Sequence, residues 1–355
     1  MKCLVRHCTF CKTFWVVALL LLGGLGAWGV KRIFFTRPLF PVILVLQTNP
    51  IIPEEIAFLK KVNPYGILFL KNSLEQGIPP NELKKQLQQA LKRKNLYFFI
   101  DQEGGSVNRL QRFFPNKTYP AAKTWGEMAQ KDAAAAYRAV FEYGYSIGKD
   151  LAWAGFDVDF APTAEACGDG NFLGTRCFSS DPKIASLLAG AFAQGLHKAH
   201  IIPVYKHAPG IANARLDPHT QLSVIDRSLA QLKEGEIRAM RGCEKWPYLQ
   251  TGHAIYTVID PDTPSTYSPK FYQFIRRELS FNGLIVPDAL NMTSAHIPGK
   301  TRGEQMELAL EAGADIVMPF FSFSMSFDDQ YKELQKIHPR HVKQFNKKIK
   351  KMSQK

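Results

Sequence analysis

Cysteine is scarce in this chain of 355 residues, and so is negative charge. Six cysteines are too few for a disulfide scaffold, and no paired C-x-x-C motifs indicate a zinc site. Cys167 and Cys177 could pair in an oxidising compartment, but the sequence fits free thiols at least as well. Hydrophobic residues make up 46% of the chain, which is enough for a substantial core and excludes a wholly disordered protein.

The excess of positive charge, formally +14, is concentrated at the C-terminus. Residues 332–355 contain nine lysines and arginines against Glu333 alone, so nine minus one, or +8, of the excess lies there. Apolar residues recur in this segment at helical spacing (Val342, Phe345, Ile349, Met352), which predicts an amphipathic helix with a solvated polar face. We favour this interpretation over a surface for nucleic acid or lipid, and we expect no nucleic-acid partner.

Only one long uncharged run is present, at residues 13–30. Its 18 residues are just long enough to cross a bilayer as a helix, and small residues near its end are also typical of a signal peptide. We therefore expect contact with a membrane through this segment, either as a retained anchor or as a cleaved signal. Basic residues lie on both sides of the run, so a cytoplasmic orientation of the following domain stays open beside the favoured export.

Eight short, nearly continuous apolar runs alternate with helical stretches after residue 40. They are residues 41–47, 65–71, 96–103, 156–163, 201–208, 248–256, 283–292 and 314–320. Such runs are typical of buried parallel strands, and eight strands close a barrel. The sequence predicts an α/β fold, a single (β/α)8 TIM-type barrel in residues 39–355. An N-terminal tail with a transmembrane or signal helix, residues 1–38, precedes it.

Charged residues gather at the C-terminal ends of these runs. Asp101 and Glu103 end the third run, Lys206 and His207 the fifth, and Asp288 the seventh. Any one of them could serve as a helix cap or an ion-pair partner. Because the ends of parallel strands meet at one mouth, where barrel enzymes hold their chemistry, several together indicate an active site.

Four motifs resemble one enzyme family. Residues 100–110 (IDQEGGSVNRL) resemble the DQEGGRVQRL signature of glycoside hydrolase family 3, in its β-N-acetylhexosaminidase branch. Residues 171–182 are similar to the arginine-containing segment of that branch, and residues 206–210 (KHAPG) to its KHFPG motif. Residues 252–292 follow its strand-seven pattern, so the resemblance runs from about residue 39 to the end.

The resemblance implies a retaining mechanism without a metal or an organic cofactor. Asp288 occupies the position of the nucleophile, which forms a glycosyl ester. His219 occupies the position of the acid/base, with Asp217 as the carboxylate that fixes its tautomer. The implied substrate is terminal β-linked N-acetylglucosamine, as in peptidoglycan fragments. For a bacterial member, the expected location is the inner membrane, with the domain on the periplasmic side.

The resemblance also implies a set of substrate-binding side chains. Asp101 would accept hydrogen bonds from sugar hydroxyls, whereas four basic residues would donate to hydroxyl and acetamido oxygens. The four are Arg109, Arg176, Lys206 and His207. Each could instead be part of a structural ion pair, and Arg109 is the weakest assignment. The sequence leaves the oligomeric state open.

The chain departs from the family pattern around the proposed acid/base. The family loop reads P-G-H-G-D-T, whereas residues 209–214 read P-G-I-A-N-A; Ala289 also replaces an Asp, and Ser106 an Arg. These changes keep two alternatives open beside hydrolysis. One is a catalytically decayed, membrane-tethered saccharide-binding protein. The other is a glycosyl transferase or phosphorylase on the same barrel.

Overall fold

The architecture rests on a parallel sheet of seven strands. The computed structural model describes residues 37–75, 77–168, 170–214 and 222–354. The strands are β1 (Phe40–Val45), β2 (Pro64–Leu68), β3 (Tyr97–Ile100), β4 (Val158–Asp159), β5 (Ile202–Ala208), β6 (Ser223–Ile225), β7 (Tyr248–Thr251), β8 (Ala254–Tyr256) and β9 (Leu284–Pro287). The main sheet runs β1-β2-β3-β4-β5-β7-β9 with every pair parallel. Strands β6 and β8 form a separate parallel pair.

Helices connect the strands and cover the outer face of the sheet. They are α1 (Pro53–Val62), α2 (Lys71–Glu75), α3 (Pro80–Ala90), α4 (Ala122–Ala129), α5 (Ala133–Ala154), α6 (Pro182–Lys198), α7 (Leu229–Leu232), α8 (Pro269–Glu278), α9 (Arg302–Ala312), α10 (Phe327–Leu334) and α11 (Pro339–Met352). A π-helical turn, Lys233–Ile237, extends α7. The predicted C-terminal amphipathic helix is α11, whose buried residues His341 and Phe345 face the protein.

Local sequence fixes the ends of the long helices. The side chain of Asp132 accepts a hydrogen bond from the Ala135 N–H at the start of α5, and Gly155, with φ of 87°, ends that helix in the left-handed region. Thr301 and Glu304 form a reciprocal capping box at the start of α9. These caps satisfy backbone groups that a helix end would otherwise leave unpaired.

Both faces of the sheet are buried, which explains the continuous apolar runs. Along β1, Val42 and Leu44 pack in the layer between sheet and helices, whereas Ile43 packs with Phe99, Val204 and other inward-facing residues. This alternation follows from the period of two in a strand. The prediction of buried parallel strands is therefore confirmed for the first seven runs.

The prediction of a closed eight-stranded TIM barrel was wrong. The seven strands form a parallel half-barrel, and the eighth run, residues 314–320, is not a strand. It contributes a single bridge, from Val317 to Val42. Pro319 has no N–H to donate, and Phe320 has a positive φ of 47°, so the run cannot continue a ladder beyond this point.

The predicted membrane or signal segment, residues 13–30, lies outside the residues that the structure describes. Within the described ranges, no helix combines the length and the apolar character that crossing a membrane requires. Residues from Pro38 onwards belong to one compact unit.

A disulfide bond joins Cys167 to Cys177 in the loop between β4 and α6. The sequence had left this pairing open beside free thiols. Cys177 is buried against Leu173, Ile211 and Ala212, so the bond lies under the loop that follows β5. Cys243 is a buried free thiol elsewhere in the domain.

We predict that reducing this disulfide lowers the free energy of unfolding by about 2–3 kcal/mol, because a bond across ten positions restricts the unfolded chain. Urea unfolding with and without a reductant measures the difference. Cys177→Ser should abolish the effect of the reductant, whereas Cys243→Ala should preserve it. Equal urea midpoints in both conditions would contradict a stabilising disulfide.

Candidate active site

The C-terminal ends of four strands bring charged side chains to one edge of the sheet. Asp101 follows β3, Lys206 and His207 are near the end of β5, and Asp288 follows β9. A 3-10 turn in the loop after β4, Gly174–Arg176, adds Arg176 to the same group. Because neighbouring strands are parallel, their ends lie side by side and the side chains can meet.

Lys206 is at the centre of the first cluster. Its Nζ lies 2.7 Å from Asp101 Oδ1 and 2.6 Å from Glu103 Oε1, and its side chain is only 2% exposed. Arg176 binds Glu103 in a bidentate manner, with Nε to Oε2 and Nη2 to Oε1 both at 2.9 Å. Thr163 donates a further hydrogen bond to Glu103. Two cations and two carboxylates thus balance their charges around the buried side chains of Lys206 and Glu103.

The electrostatics of this cluster favour the charged forms of Glu103, Lys206 and Arg176. Burial alone would raise the pKa of Glu103, but the charges of Lys206 and Arg176 lower it well below its ordinary value. Burial conversely lowers the pKa of Lys206, and the charges of Asp101 and Glu103 more than compensate and raise it. The cluster is therefore a fixed array of donors and acceptors near neutral pH.

Asp288 forms a second centre with one carboxylate oxygen held and the other open. Its Oδ1 accepts hydrogen bonds from Gln250 Nε2 at 2.9 Å and from the Ala289 N–H at 2.7 Å. Its Oδ2 lies 3.9 Å from His207 Nε2, and the side chain is 20% exposed. Burial acts to raise the pKa of Asp288, but the imidazoles of His207 and His253, together with the Ala289 N–H, lower it on balance. This carboxylate is ionised near neutral pH.

His207 connects Asp288 to a buried carboxylate. Its Nδ1 lies 2.8 Å from Glu165 Oε1, on the loop after β4. His253, which lies between β7 and β8, is fully buried between Thr266 Oγ1 and the Ala289 carbonyl, and burial lowers its pKa. His253 thus supports the backbone next to Asp288, whereas His207 faces its carboxylate.

Comparisons with known proteins identify the family to which this site belongs. Residues 46–351 match the family model described as glycosyl hydrolase family 3 N terminal domain. The chain belongs to glycosyl hydrolase family 3. It is therefore a glycoside hydrolase, and the family resemblance of its motifs is confirmed.

Relatives and solved structures of this family 3 chain cover most of its length. A protein named beta-hexosaminidase from Pseudomonas aeruginosa is 30% identical to this chain, and the alignment covers 74% of this chain and 77% of that protein. A protein of the same name from Idiomarina loihiensis is also 30% identical, and its alignment covers 71% of this chain and 74% of that protein. The crystal structure of native NagZ from Neisseria gonorrhoeae aligns with a TM-score of 0.69 and 27% identity over 85% of this chain and 90% of that one. A family 3 glycosyl hydrolase structure from Mycobacterium smegmatis has a TM-score of 0.73 at 22% identity, covering 87% of this chain and 93% of that one, and shows the fold alone.

The structure joins five of the eight predicted site residues into the two clusters: Asp101, Arg176, Lys206, His207 and Asp288. Arg109 belongs to neither cluster. Its backbone N–H donates a hydrogen bond to Gln102 Oε1, and its guanidinium forms no ion pair within the described part of the chain. The predicted dyad, Asp217 and His219, lies outside the described residues. Their roles stay a prediction.

Three residues of the site were not among the eight side chains with a predicted role, although Glu103 was expected at the same edge of the sheet. Glu103 belongs to the DQEGG motif, and an acidic residue two positions after Asp101 is a usable signal in the sequence. Gln250 is a polar residue inside the apolar run of β7, which is a usable signal. Glu165 has no comparable signal, because it lies six residues beyond the end of β4 in an otherwise small and apolar segment.

No group of three or more His, Cys, Asp or Glu side chains in the described ranges is arranged to hold a metal ion. The two clusters instead offer hydrogen-bond donors and acceptors. Their arrangement can bind the hydroxyl groups of a sugar and present an ionised carboxylate to it.

We predict that Glu103→Gln lowers the free energy of unfolding by about 3 kcal/mol at pH 7, because Lys206 and Arg176 keep their charges in a buried place without their shared partner. The pKa of Glu103 is lowered from 4.5 in the folded state, so its ionised form stabilises the fold above about pH 4.5. That stabilisation is lost as the pH falls below this value towards the folded pKa. The difference between wild type and variant should therefore shrink on acidification.

Urea unfolding of both proteins at several pH values between 7 and 3 measures this difference. Glu127→Gln, at an exposed position of α4, is the control and should follow the wild type. A deficit of the Glu103→Gln variant that stays constant over this pH range would show that the ion pairs are not its cause.

Proposed function

We propose that this protein is a retaining β-N-acetylhexosaminidase that removes terminal β-linked N-acetylglucosamine, with peptidoglycan fragments as the substrate class. The state of Asp288 carries the proposal. One of its oxygens is fixed by Gln250 and the Ala289 N–H, and the other is open and ionised beside His207. A nucleophile that forms a glycosyl ester needs such a carboxylate. The names of the curated relatives, beta-hexosaminidase, support the sugar class.

In the first step, Asp288 Oδ2 attacks the anomeric carbon and the bond from that carbon to the leaving oxygen breaks. His219 gives a proton to this oxygen, so the aglycone leaves as an alcohol. In the second step, His219 removes a proton from water, the water oxygen attacks the same carbon, and the bond to Asp288 breaks. Two inversions at one carbon give net retention.

The Lys206 cluster would hold the sugar during both steps. The Asp101 side chain is 25% exposed and can accept hydrogen bonds from two hydroxyls while its other oxygen binds Lys206. Arg176 is 19% exposed and can donate to a hydroxyl or to the acetamido oxygen from the guanidinium edge that Glu103 does not use. Because both side chains are already fixed by ion pairs, binding costs little loss of side-chain freedom.

We predict that Asp288→Asn reduces hydrolysis of p-nitrophenyl β-N-acetylglucosaminide by at least about 10⁴-fold, because an amide oxygen cannot form the glycosyl ester. Trapping with a 5-fluoro N-acetylglucosaminyl fluoride, followed by peptide mass spectrometry, should place the label on Asp288 of the wild type. The control variant is Asn282→Ala, which changes a surface residue. Gln250→Glu is unsuitable as a control because it would add a negative charge beside Asp288. A label on another carboxylate would refute this assignment.

We predict that His219→Gln slows the release of saccharide leaving groups by about 10²–10³-fold but the release of p-nitrophenol far less, because p-nitrophenolate needs no proton to depart. Initial rates with chitobiose and with the p-nitrophenyl glycoside measure the contrast. Equal losses with both substrates would argue against an acid role for His219. Saccharide binding without turnover by the wild type would point to the decayed binder, and glycosyl phosphate formed in phosphate buffer would point to a phosphorylase.

A further inference from the structure

One buried carboxylate holds the segment that follows β5. Glu165 Oε1 accepts hydrogen bonds from the His207 N–H at 3.1 Å and lies 2.8 Å from His207 Nδ1. Glu165 Oε2 accepts from the backbone N–H groups of Ile211 at 2.6 Å and Ala212 at 2.7 Å. The Glu165 side chain is only 1% exposed, so these groups replace its contacts with water. Residues 207–212 are called the β5 arm below.

The two oxygens of a carboxylate match this arrangement, because each of them can accept two hydrogen bonds. Three backbone N–H groups point at the two oxygens, and the ring nitrogen Nδ1 of His207 is the fourth neighbour. A glutamine has the same shape, but its amide nitrogen would face at least one backbone N–H donor, whichever way the amide is turned. A buried polar group without its partners costs stability, and a misdirected amide would also move the groups around it.

The contact at Nδ1 determines what His207 presents to the sugar. Because a carboxylate accepts and never donates, Nδ1 carries the proton and the ring is fixed with Nε2 towards Asp288, 3.9 Å from Oδ2. Without Glu165, the ring could rotate or exchange its tautomer.

Apolar packing holds the same arm from the other side. Ile211 and Ala212 are 3% and 5% exposed and pack against Leu173 and the disulfide-bonded Cys177. Asn171 Nδ2 donates a hydrogen bond to the Ala212 carbonyl. The substitutions that separate this arm from the family motif therefore produce a packed contact, with Glu165 as its polar anchor.

We propose that Glu165 is a positioning residue that fixes the tautomer and orientation of His207 and the path of the β5 arm. The kinetic part of this inference rests on the proposed function. The structural part does not, because the tautomer of His207 can be observed without substrate.

The kinetic experiment compares Glu165→Gln with the wild type. We expect kcat/KM for p-nitrophenyl β-N-acetylglucosaminide to fall by about 10²-fold, since misplacement of a binding group by 1 Å has an effect of this order. Glu55→Gln is the matched control, because Glu55 is a buried carboxylate that accepts from the Gln47 and Thr48 N–H groups without touching a histidine. It should lose similar thermal stability with kcat/KM unchanged. Equal kinetic losses in the two variants would overturn the proposal.

A double-mutant cycle tests whether Glu165 acts through His207. Adding Glu165→Gln to His207→Asn should cost much less in kcat/KM than adding it to the wild type, because the ring it orients is already gone. Fully additive losses would overturn the proposal. A purely structural role for Glu165 predicts such additivity.

Nitrogen NMR of ¹⁵N-histidine-labelled protein provides the readout that needs no turnover. The His207 ring signals are those missing from His207→Asn. We expect a slowly exchanging proton on Nδ1 in the wild type and its loss in Glu165→Gln. The same protonated Nδ1 in both would overturn the proposal. If the wild type hydrolyses no β-hexosaminide, the proposed function fails, and this spectrum still decides the role of Glu165.

Discussion

The buried cation Lys206 is the group on which the geometry of the site depends. A lysine with a 2% exposed side chain is tolerable only when carboxylates surround its ammonium group, and Asp101 and Glu103 both do so within 2.7 Å. Their positions are fixed in turn, because both follow β3 and Glu103 is bound by Arg176 from the loop after β4. The ammonium group of Lys206 therefore holds the ends of three neighbouring segments of the sheet in place through this chain of ion pairs.

Consecutive residues of β5 serve the two halves of the site. Lys206 holds the charged cluster, and His207 faces Asp288 while Glu165 holds its ring. Any shift of β5 along its neighbours would thus disturb the proposed sugar-binding cluster and the surroundings of the proposed nucleophile together. The buried core under the strand, with Val204 packed inside the sheet and Tyr205 outside it, resists such a shift.

The sequence predicts the positions of the strands well but not whether they close into a barrel, and both outcomes have physical causes. Apolar runs report burial on both faces, so seven of them are strands of one parallel sheet. The run at residues 314–320 has the same composition, but Pro319 and the positive φ of Phe320 limit it to one bridge, and composition alone does not reveal this. Within the site, the family motifs identify Lys206, His207 and Asp288 from the sequence. Glu165 is recognised only from its contacts with residues 42 to 47 positions further along the chain.

The altered loop motif does not by itself argue for lost catalysis. Where the family motif has His and Gly, Ile211 and Ala212 give their backbone N–H groups to Glu165 and their side chains to an apolar contact. Backbone N–H groups are present in any residue except proline, so this part of the anchor survives the change of side chains. The substitutions thus place apolar side chains of the arm in a packed contact, and they leave in place the contacts of Asp288 on which the proposed glycosyl-ester mechanism rests.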